Sequence, residues 1–176
     1  YKNWPLIREA QMRLYQNVKN TGIAVILDQG EYGNIHPTEK KIVGERLALQ
    51  ALYHVYHCDV KEQAFGPIYR SYRRDGERMY LSFDHAENGI CCTEDEIAGF
   101  EIAGADREYY PAKAKFVGNE ICVSSDQVSE PLSVRFCWTN YAPVTLFGKN
   151  GIPVAPFRTD HEDGAVATGS RQGNSI

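Results

Sequence analysis

One histidine of this chain stands where the reactive side chains of α/β enzymes often lie. Residues 23–27 form a continuously apolar run, Asp28 follows it directly, and His36 comes a short loop later, ahead of a helical pattern. In open α/β sheets, reactive groups collect in the loops after the carboxyl ends of strands. A neutral imidazole there takes the proton of a nucleophile, while a carboxylate on its other ring nitrogen fixes the tautomer. The placement makes His36 a candidate general base of a hydrolase. The alternative interpretation is a histidine that merely begins the helix before Pro37.

Two carboxylates precede His36 in the same loop and could orient its ring. Asp28 comes directly after the apolar run, and Glu31 lies three residues further on. An aspartate at a strand end is equally typical of a turn-forming cap, so both interpretations of Asp28 stay open. We interpret Glu31 as a solvated surface charge. His36 and Asp28 are thus the candidate catalytic residues.

A nucleophile to pair with His36 is not evident in the chain. No serine lies in a Gly-x-Ser-x-Gly elbow or a Gly-Asp-Ser turn, which are the settings that expose a reactive hydroxyl. The cysteines lack the helix N-terminus or basic cluster that stabilises a thiolate. The serines ahead of the C-terminal tail are predicted to be strand and turn hydroxyls: Ser71, Ser82, Ser124, Ser125, Ser129 and Ser133.

Composition narrows the classes of function. The chain has 176 residues, 43% of them apolar, and a net charge of -4, which suits one globular domain or two small ones. Its basic residues are scattered, so we expect no nucleic-acid partner, and no apolar run is long enough to span a membrane. No Cys-x-x-Cys pair indicates a structural zinc site. His54 and His57 could chelate a metal with Cys58 or Asp59, but histidines in a last helical turn more often serve the helix dipole, and we expect no metal or organic cofactor. One disulfide, between Cys122 and Cys137, is possible.

The first third of the chain has the pattern of an α/β protein. Asn3 is a plausible helix N-cap, and a second helix is predicted from Thr38 to about His57. Between them, residues 23–27 are typical of a strand covered on both faces. One strand cannot form a stable sheet alone. We therefore expect residues 1–62 to be the closing part of a doubly wound, flavodoxin-like α/β domain whose earlier strands precede Tyr1, in a chain excised from a longer protein.

The rest of the chain changes to a period of two. Apolar residues alternate with polar ones from about Gly66, and Asp75-Gly76 and Gly118-Asn119 separate pairs of such runs as hairpin turns do. This predicts an antiparallel β-sandwich over residues 63–160, after a hinge at residues 60–65. Residues 161–176 are rich in Gly, Ser and Ala, and we expect a flexible tail there.

Several motifs together resemble the closing part of the sialate O-acetylesterases, which are SGNH-type serine esterases. The resemblance covers nearly the whole chain except the tail. It rests on these segments: Trp4-Pro-Leu-Ile-Arg-Glu-Ala-Gln11, the run ending at Asp28, Asn34-Ile-His36-Pro37, Lys40 with Val43-Gly-Glu-Arg-Leu-Ala-Leu49, Gly66-Pro-Ile-Tyr69, Gly99-Phe-Glu-Ile-Ala-Gly104, Tyr110-Pro-Ala112, Val134-Arg-Phe-Cys-Trp138 and Pro153-Val-Ala-Pro-Phe-Arg158.

The resemblance implies a reaction and its missing parts. In that family a late His-Pro supplies the base, which His36 matches, and an N-terminal Gly-Gln-Ser block supplies the nucleophile and oxyanion hole. An Asp three residues before the base is usual, yet Gly33 stands there. Asp28, a carboxylate from the missing N-terminal part, or a backbone carbonyl would then hold the ring. We expect these residues alone to be inactive.

The same resemblance implies an O-acetylated sialic acid or related sugar as substrate, and a periplasmic, lysosomal or secreted location. An alternative is a non-catalytic carbohydrate-binding or structural β-sandwich module. Four aromatic residues could stack on a sugar, although such residues more often close a sandwich core: Tyr109, Tyr110, Trp138 and Tyr141. A fragment of an α/β-hydrolase or protease is disfavoured by the missing nucleophile elbow.

Overall fold

The computed structural model describes residues 3–141 and 143–160, so the predicted tail at residues 161–176 lies outside the described part of the chain. Three helices come first: α1 (Asn3–Asn17), α2 (Lys41–His54) and α3 (Lys61–Ala64). The strands follow: β1 (Ile68–Asp75), β2 (Arg78–Asp84), β3 (Ile90–Cys92), β4 (Phe100–Ala103), β5 (Tyr110–Pro111), β6 (Lys113–Val117), β7 (Glu120–Ser124), β8 (Ser133–Phe136), β9 (Leu146–Gly148) and β10 (Phe157–Arg158).

The strands form the predicted antiparallel β-rich unit. One sheet has the order β1-β2-β7-β6 and a second has the order β10-β8-β4-β5, while β3 pairs with β9. Every described pairing between these strands is antiparallel. Side chains of both four-stranded sheets meet in one apolar core. Its fully buried members include Met79, Leu81, Ile102, Val123, Val134 and Phe136.

Both predicted hairpins are present. β1 and β2 pair through Asp75 and Arg78, so Gly76 and Glu77 form the loop. β6 and β7 pair through Val117 and Glu120, which leaves Gly118-Asn119 as the loop. Gly76 and Gly118 have φ angles of 57° and 58°. Two-residue hairpin loops require this left-handed conformation, which glycine adopts without the steric cost of a Cβ.

The predicted strand at residues 23–27 belongs to no sheet among the described residues. Side chains of α2 hold this segment instead: Gln50 Oε1 accepts from the amide of Ile23 at 3.2 Å, and Arg46 Nη1 donates to the carbonyl of Val25 at 2.7 Å. A strand needs a partner for its backbone groups, and the described part of the chain brings none. The described fold is accordingly β-rich with few helices, and the doubly wound domain stays a prediction.

The second helix is shorter than predicted at both ends. It begins at Lys41 because the amide of Thr38 donates to the side chain of Glu31 at 2.7 Å, which keeps Thr38 in the preceding loop. It ends at His54, and His57 lies beyond it with a φ of 52°, which is incompatible with a right-handed helix. The predicted hinge at residues 60–65 contains the short helix α3.

Helix α1 is tied to the sandwich by charged and polar contacts. The guanidinium of Arg158 donates to both carboxylate oxygens of Glu9, at 2.8 and 3.0 Å. Arg8 donates to the carbonyl of Thr139, and the amide of Trp4 donates to Asn140 Oδ1 at 3.2 Å. A bidentate pair of arginine and carboxylate fixes geometry well. These contacts therefore fix the position of α1 relative to β10 and to the residues that follow β8.

Apolar side chains on and beside each of the two long helices are exposed. Leu14 of α1 is 54% exposed and Leu47 of α2 is 53% exposed, and Ile7, Val18 and Val55 are exposed as well. Apolar stripes on helices normally face a core. The described residues thus do not cover the apolar side chains of these two helices.

The five cysteines are all free thiols, so the possible bridge between Cys122 and Cys137 is not formed. Cys122 lies in β7, between Ile121 and Val123, whose side chains belong to the core. Successive strand residues point to opposite faces, so Cys122 faces away from that core, whereas Cys137 is one of its members. The two thiols therefore lie on different sides of a sheet.

Candidate active site

The loop that carries His36 is closed by one carboxylate. Glu31 Oε1 accepts from the backbone amide of Thr38 at 2.7 Å and from the Thr38 hydroxyl at 3.0 Å. Glu31 Oε2 accepts from Asn34 Nδ2 at 2.7 Å. Three hydrogen bonds to one charged acceptor connect the beginning, middle and end of the loop. Glu31 therefore holds residues 31–38 in a fixed turn.

The same network reaches the backbone of the histidine. Asn34 Oδ1 accepts from the amide of His36 at 2.9 Å, while the other end of the Asn34 amide is held by Glu31. The His36 side chain is exposed. Among the described residues, none forms a hydrogen bond to its imidazole ring. The backbone beneath the ring is thus fixed, and its two nitrogens are open to groups outside the described chain.

The hydrogen bonds also favour the charged form of the Glu31 carboxyl group. Those from the Thr38 amide, the Asn34 side chain and the Thr38 hydroxyl lower the pKa of Glu31 below its ordinary value. A carboxylate that accepts several hydrogen bonds is favoured in its charged form. Glu31 is therefore ionised at neutral pH, in the state that can hold the loop.

Asp28 lies at the base of the loop and pairs with Arg46. Arg46 Nη1 donates to Asp28 Oδ1 at 2.6 Å and Nη2 donates to Oδ2 at 2.7 Å, and Gln29 Nε2 donates to Oδ2 at 2.9 Å. Partial burial acts to raise the pKa of Asp28, but the hydrogen bonds from Arg46 and Gln29 outweigh it, so the pKa lies below its ordinary value. The carboxylate is committed to Arg46 in this arrangement.

The pair of Asp28 and Arg46 connects three parts of the chain. Arg46 is buried on α2, and besides Asp28 it donates to the carbonyl of Val25 and to that of Gly151 at 3.4 Å. The buried Gln50, one helical turn further on, donates to the carbonyl of Ala64 at 2.6 Å. Together these side chains fasten residues 23–28 to α2 and to the edge of the sandwich.

The structure thus separates the two predicted catalytic residues by environment. His36 is exposed on the loop that Glu31 closes, whereas Asp28 is half-buried where this loop begins and is hydrogen-bonded to Arg46. Their catalytic roles stay predictions. Glu31 is exposed, as the sequence suggested, yet it organises the loop rather than serving only as a solvated charge. The one sequence signal for this was its spacing from Asn34 and Thr38.

The serines are placed as strand and turn residues. Ser133 Oγ accepts from the Tyr109 hydroxyl at 2.7 Å, Ser82 Oγ donates to Glu120 at 3.3 Å, and Ser125 Oγ donates to the carbonyl of Pro111 at 3.0 Å. Burial raises the pKa of Cys137 to about 12, so that thiol is not an activated nucleophile.

The aromatic residues considered for sugar binding differ in access. Trp138 is buried, and the guanidinium of Arg135 lies 3.6 Å from the ring centroid of Tyr109. Tyr141 is exposed, and its ring meets that of Tyr32 edge to face, with centroids 5.4 Å apart. Tyr32 belongs to the His36 loop. It was not singled out from the sequence, because a tyrosine between two loop residues carries no periodic signal.

Residues 3–141 and 143–160 contain neither a cluster of metal ligands nor a helix that could span a membrane. No group of three or more His, Cys, Asp and Glu side chains there is arranged to hold a metal ion. No described helix has the length and apolar character to cross a bilayer.

Comparison with protein-family models and with curated proteins found no match. Among solved structures, the chain is similar to the crystal structure of a novel carbohydrate acetylesterase from Xanthomonas citri, with a TM-score of 0.84 and 37% sequence identity. The match covers 89% of this chain and 36% of that protein, so the chain spans about a third of its length. The comparison supports the predicted relationship to carbohydrate esterases at this general level.

Proposed function

We propose that these residues form the C-terminal part of a serine esterase that removes O-acetyl groups from sialic acid or a related sugar, and that His36 is its general base. The proposal rests on the exposed imidazole of His36, which lies on the loop that Glu31 closes, in a chain 37% identical to a carbohydrate acetylesterase. A base must reach its partner within hydrogen-bond distance. An exposed ring on a fixed backbone is open to such a partner.

The serine is supplied by the preceding part of the same protein. Two features of the described chain support a missing neighbour. Apolar side chains on both long helices, such as Leu14 and Leu47, are uncovered, and residues 23–27 have the composition of an inner strand without a sheet. Parallel strands of α/β domains are apolar on both faces because helices cover them. In the complete protein, further strands pair with residues 23–27 and their sheet covers these apolar side chains.

The reaction is acyl transfer in two steps. The imidazole of His36 accepts the proton of the serine hydroxyl as the serine oxygen attacks the acetyl carbonyl. The bond between the acetyl carbon and the sugar oxygen then breaks, and the imidazolium gives its proton to the sugar oxygen. This step leaves an acetyl-serine. Water, deprotonated by the same imidazole, attacks the carbonyl carbon of the acetyl-serine. The bond from that carbon to the serine oxygen breaks, the imidazolium returns the proton to the serine oxygen, and acetate leaves. No metal or organic cofactor takes part in these steps.

Asp28 is assigned a positioning role in this proposal. Its bidentate pair with Arg46 fixes the end of residues 23–28, from which the loop to His36 begins. Direct orientation of the imidazole by Asp28 would require it to leave Arg46. A carboxylate from the rest of the protein, or a backbone carbonyl, is then the group that holds the ring of His36. Residues 1–176 alone have no esterase activity.

The test is hydrolysis of O-acetylated sialic acid by the complete protein. We expect His36→Ala to reduce kcat/KM by roughly 10³-fold or more without loss of folding, because the serine loses its base. His57→Ala is the matched control, since His57 is also exposed but lies beyond the far end of α2. Near-normal turnover by His36→Ala, or turnover by residues 1–176 alone, would refute the proposal. On the resemblance to the sialate O-acetylesterases, we propose a periplasmic, lysosomal or secreted location.

A further inference from the structure

We propose that the rings of Tyr32 and Tyr141, the tyrosine pair, form the surface on which the pyranose ring of the substrate stacks beside His36. This inference deepens the proposed function by naming a sugar-binding subsite. Tyr32 is 84% exposed and Tyr141 is 55% exposed, yet their rings are in edge-to-face contact at 5.4 Å between centroids with an interplanar angle of 70°. Packing of the described core does not account for rings that open to solvent.

The pair joins the candidate catalytic loop to the sandwich. Tyr32 lies within the loop that Glu31 closes, four residues before His36, while Tyr141 lies between β8 and β9. The chain beside Tyr141 is held by α1, because Trp4 donates its amide to Asn140 and Arg8 donates to the carbonyl of Thr139. Both sides of the pair are therefore anchored before any ligand arrives, which reduces the entropy cost of binding.

The chemistry of the pair suits a sugar ring. An aromatic face accepts the apolar C–H groups of a pyranose, and the phenol hydroxyl is available to the sugar hydroxyls, so tyrosine serves a ligand with one apolar and one polar side. Other tyrosines of the sandwich have a cation over the ring, such as Tyr80 beneath Arg73 at 3.8 Å and Tyr109 beneath Arg135.

Chain length limits how far the backbone of Tyr32 lies from that of His36. Four residues span at most about 14 Å when fully extended, and the loop here is folded back on itself. A pyranose with a short ester substituent bridges such a gap. A sugar stacked on the tyrosine pair thus brings its acetyl group towards the imidazole, and the sandwich takes part in substrate recognition through Tyr141.

Binding to the intact chain of residues 1–176 tests the inference without any turnover. The probes are 9-O-acetyl-N-acetylneuraminic acid and, as a neutral sugar, methyl 6-O-acetyl-β-glucopyranoside, titrated by NMR or calorimetry. We expect at least one probe to bind with a millimolar Kd. Tyr32→Ala and Tyr141→Ala should each weaken it about five- to tenfold, and Tyr32→Phe much less. Tyr56→Ala is the matched control, because Tyr56 is 71% exposed but lies beyond the far end of α2.

The inference is overturned if neither probe binds at about 20 mM, if both alanine variants bind as tightly as the unaltered chain, or if Tyr56→Ala weakens binding equally. Unchanged thermal unfolding of the variants shows that the effect is local. The role of His36 as the base is tested by turnover of the complete protein, whereas this binding is measured without turnover. The two proposals therefore fail separately.

Discussion

At the scale of single residues, the acidic side chains around His36 make structural contacts that the sequence did not indicate. Glu31 holds the loop through Thr38 and Asn34, and Asp28 holds its base through Arg46. Neither contact follows from residue type, because each depends on how an irregular loop folds back. The position of His36 after an apolar run was predictable, whereas its supporting contacts were not.

Removing the side chain of Glu31 should make the His36 loop more mobile without unfolding the protein. In Glu31→Ala, the amide of Thr38 loses its acceptor, and so does the side chain of Asn34 that holds the His36 amide. We expect the amides of Thr38 and His36 to exchange with solvent about tenfold faster, since local opening becomes easier. Hydrogen exchange measured by NMR gives this result directly. Glu45→Ala, an exposed carboxylate on α2 that pairs with Lys41, is the control and should leave both amides unchanged.

Asp28 should matter for stability because it neutralises a buried cation. Asp28→Ala leaves the guanidinium of Arg46 without its charged partner, and we expect the free energy of unfolding to fall by about 3 kcal/mol. Denaturant unfolding measures this. The double variant Asp28→Ala with Arg46→Leu should recover part of the loss, because the unpaired charge is gone. A loss below about 0.5 kcal/mol in the single variant, within the range of ordinary surface substitutions, would show that the pair does not anchor the segment.

The same pair gives the stability a pH dependence of known sign. The pKa of Asp28 is lower in the folded protein than its ordinary value of 3.8. Its contribution is therefore complete above that value and is lost as the pH falls through the lower folded pKa. Unfolding followed from pH 7 to pH 2 should show a loss of stability in the unaltered chain that is smaller in Asp28→Ala. Equal slopes for the two proteins would contradict this assignment.

At the scale of elements, strands and turns could be predicted from the sequence where the alternation of apolar and polar residues is long and regular. β2 and β4 lie within the part of the chain where the alternation of apolar and polar residues predicts strands, and both hairpin turns follow from their glycines. β3, β5, β9 and β10 are two or three residues long, too short for a period to register. Residues 23–27 show the converse: their composition predicts a strand, but strand formation depends on neighbours that the described residues do not include.

The uncovered helical face leads to a test at this scale. In residues 1–176 alone, Leu14→Ser and Leu47→Ser should each change the free energy of unfolding by less than about 0.5 kcal/mol, because both side chains already contact water. Leu81→Ala in the core is the comparison and should cost about 2 to 5 kcal/mol. In the complete protein, the two surface variants should become clearly destabilising. Equal effects in both proteins would mean that no domain covers the face.

At the scale of the whole molecule, the described chain is a β-rich unit to which the candidate catalytic loop with His36 is attached. Helix α1 is bound to the sandwich by Glu9 and Arg158, and α2 is bound to its edge through Arg46 and Gln50. The sandwich thereby holds the base of the His36 loop, and we propose that it also contributes Tyr141 to the sugar site. Its function in this proposal is to present a base and a binding surface to a serine carried elsewhere in the protein.

The decisive measurement is covalent labelling of the complete protein with a fluorophosphonate, which reacts with serines that a base has activated. Mass spectrometry identifies the labelled residue, and the rate reports the activation. We predict one labelled serine outside residues 1–176 and a labelling rate reduced about 100-fold or more in His36→Ala. Labelling of a serine within residues 1–176, or an unchanged rate in His36→Ala, would contradict the role of this histidine.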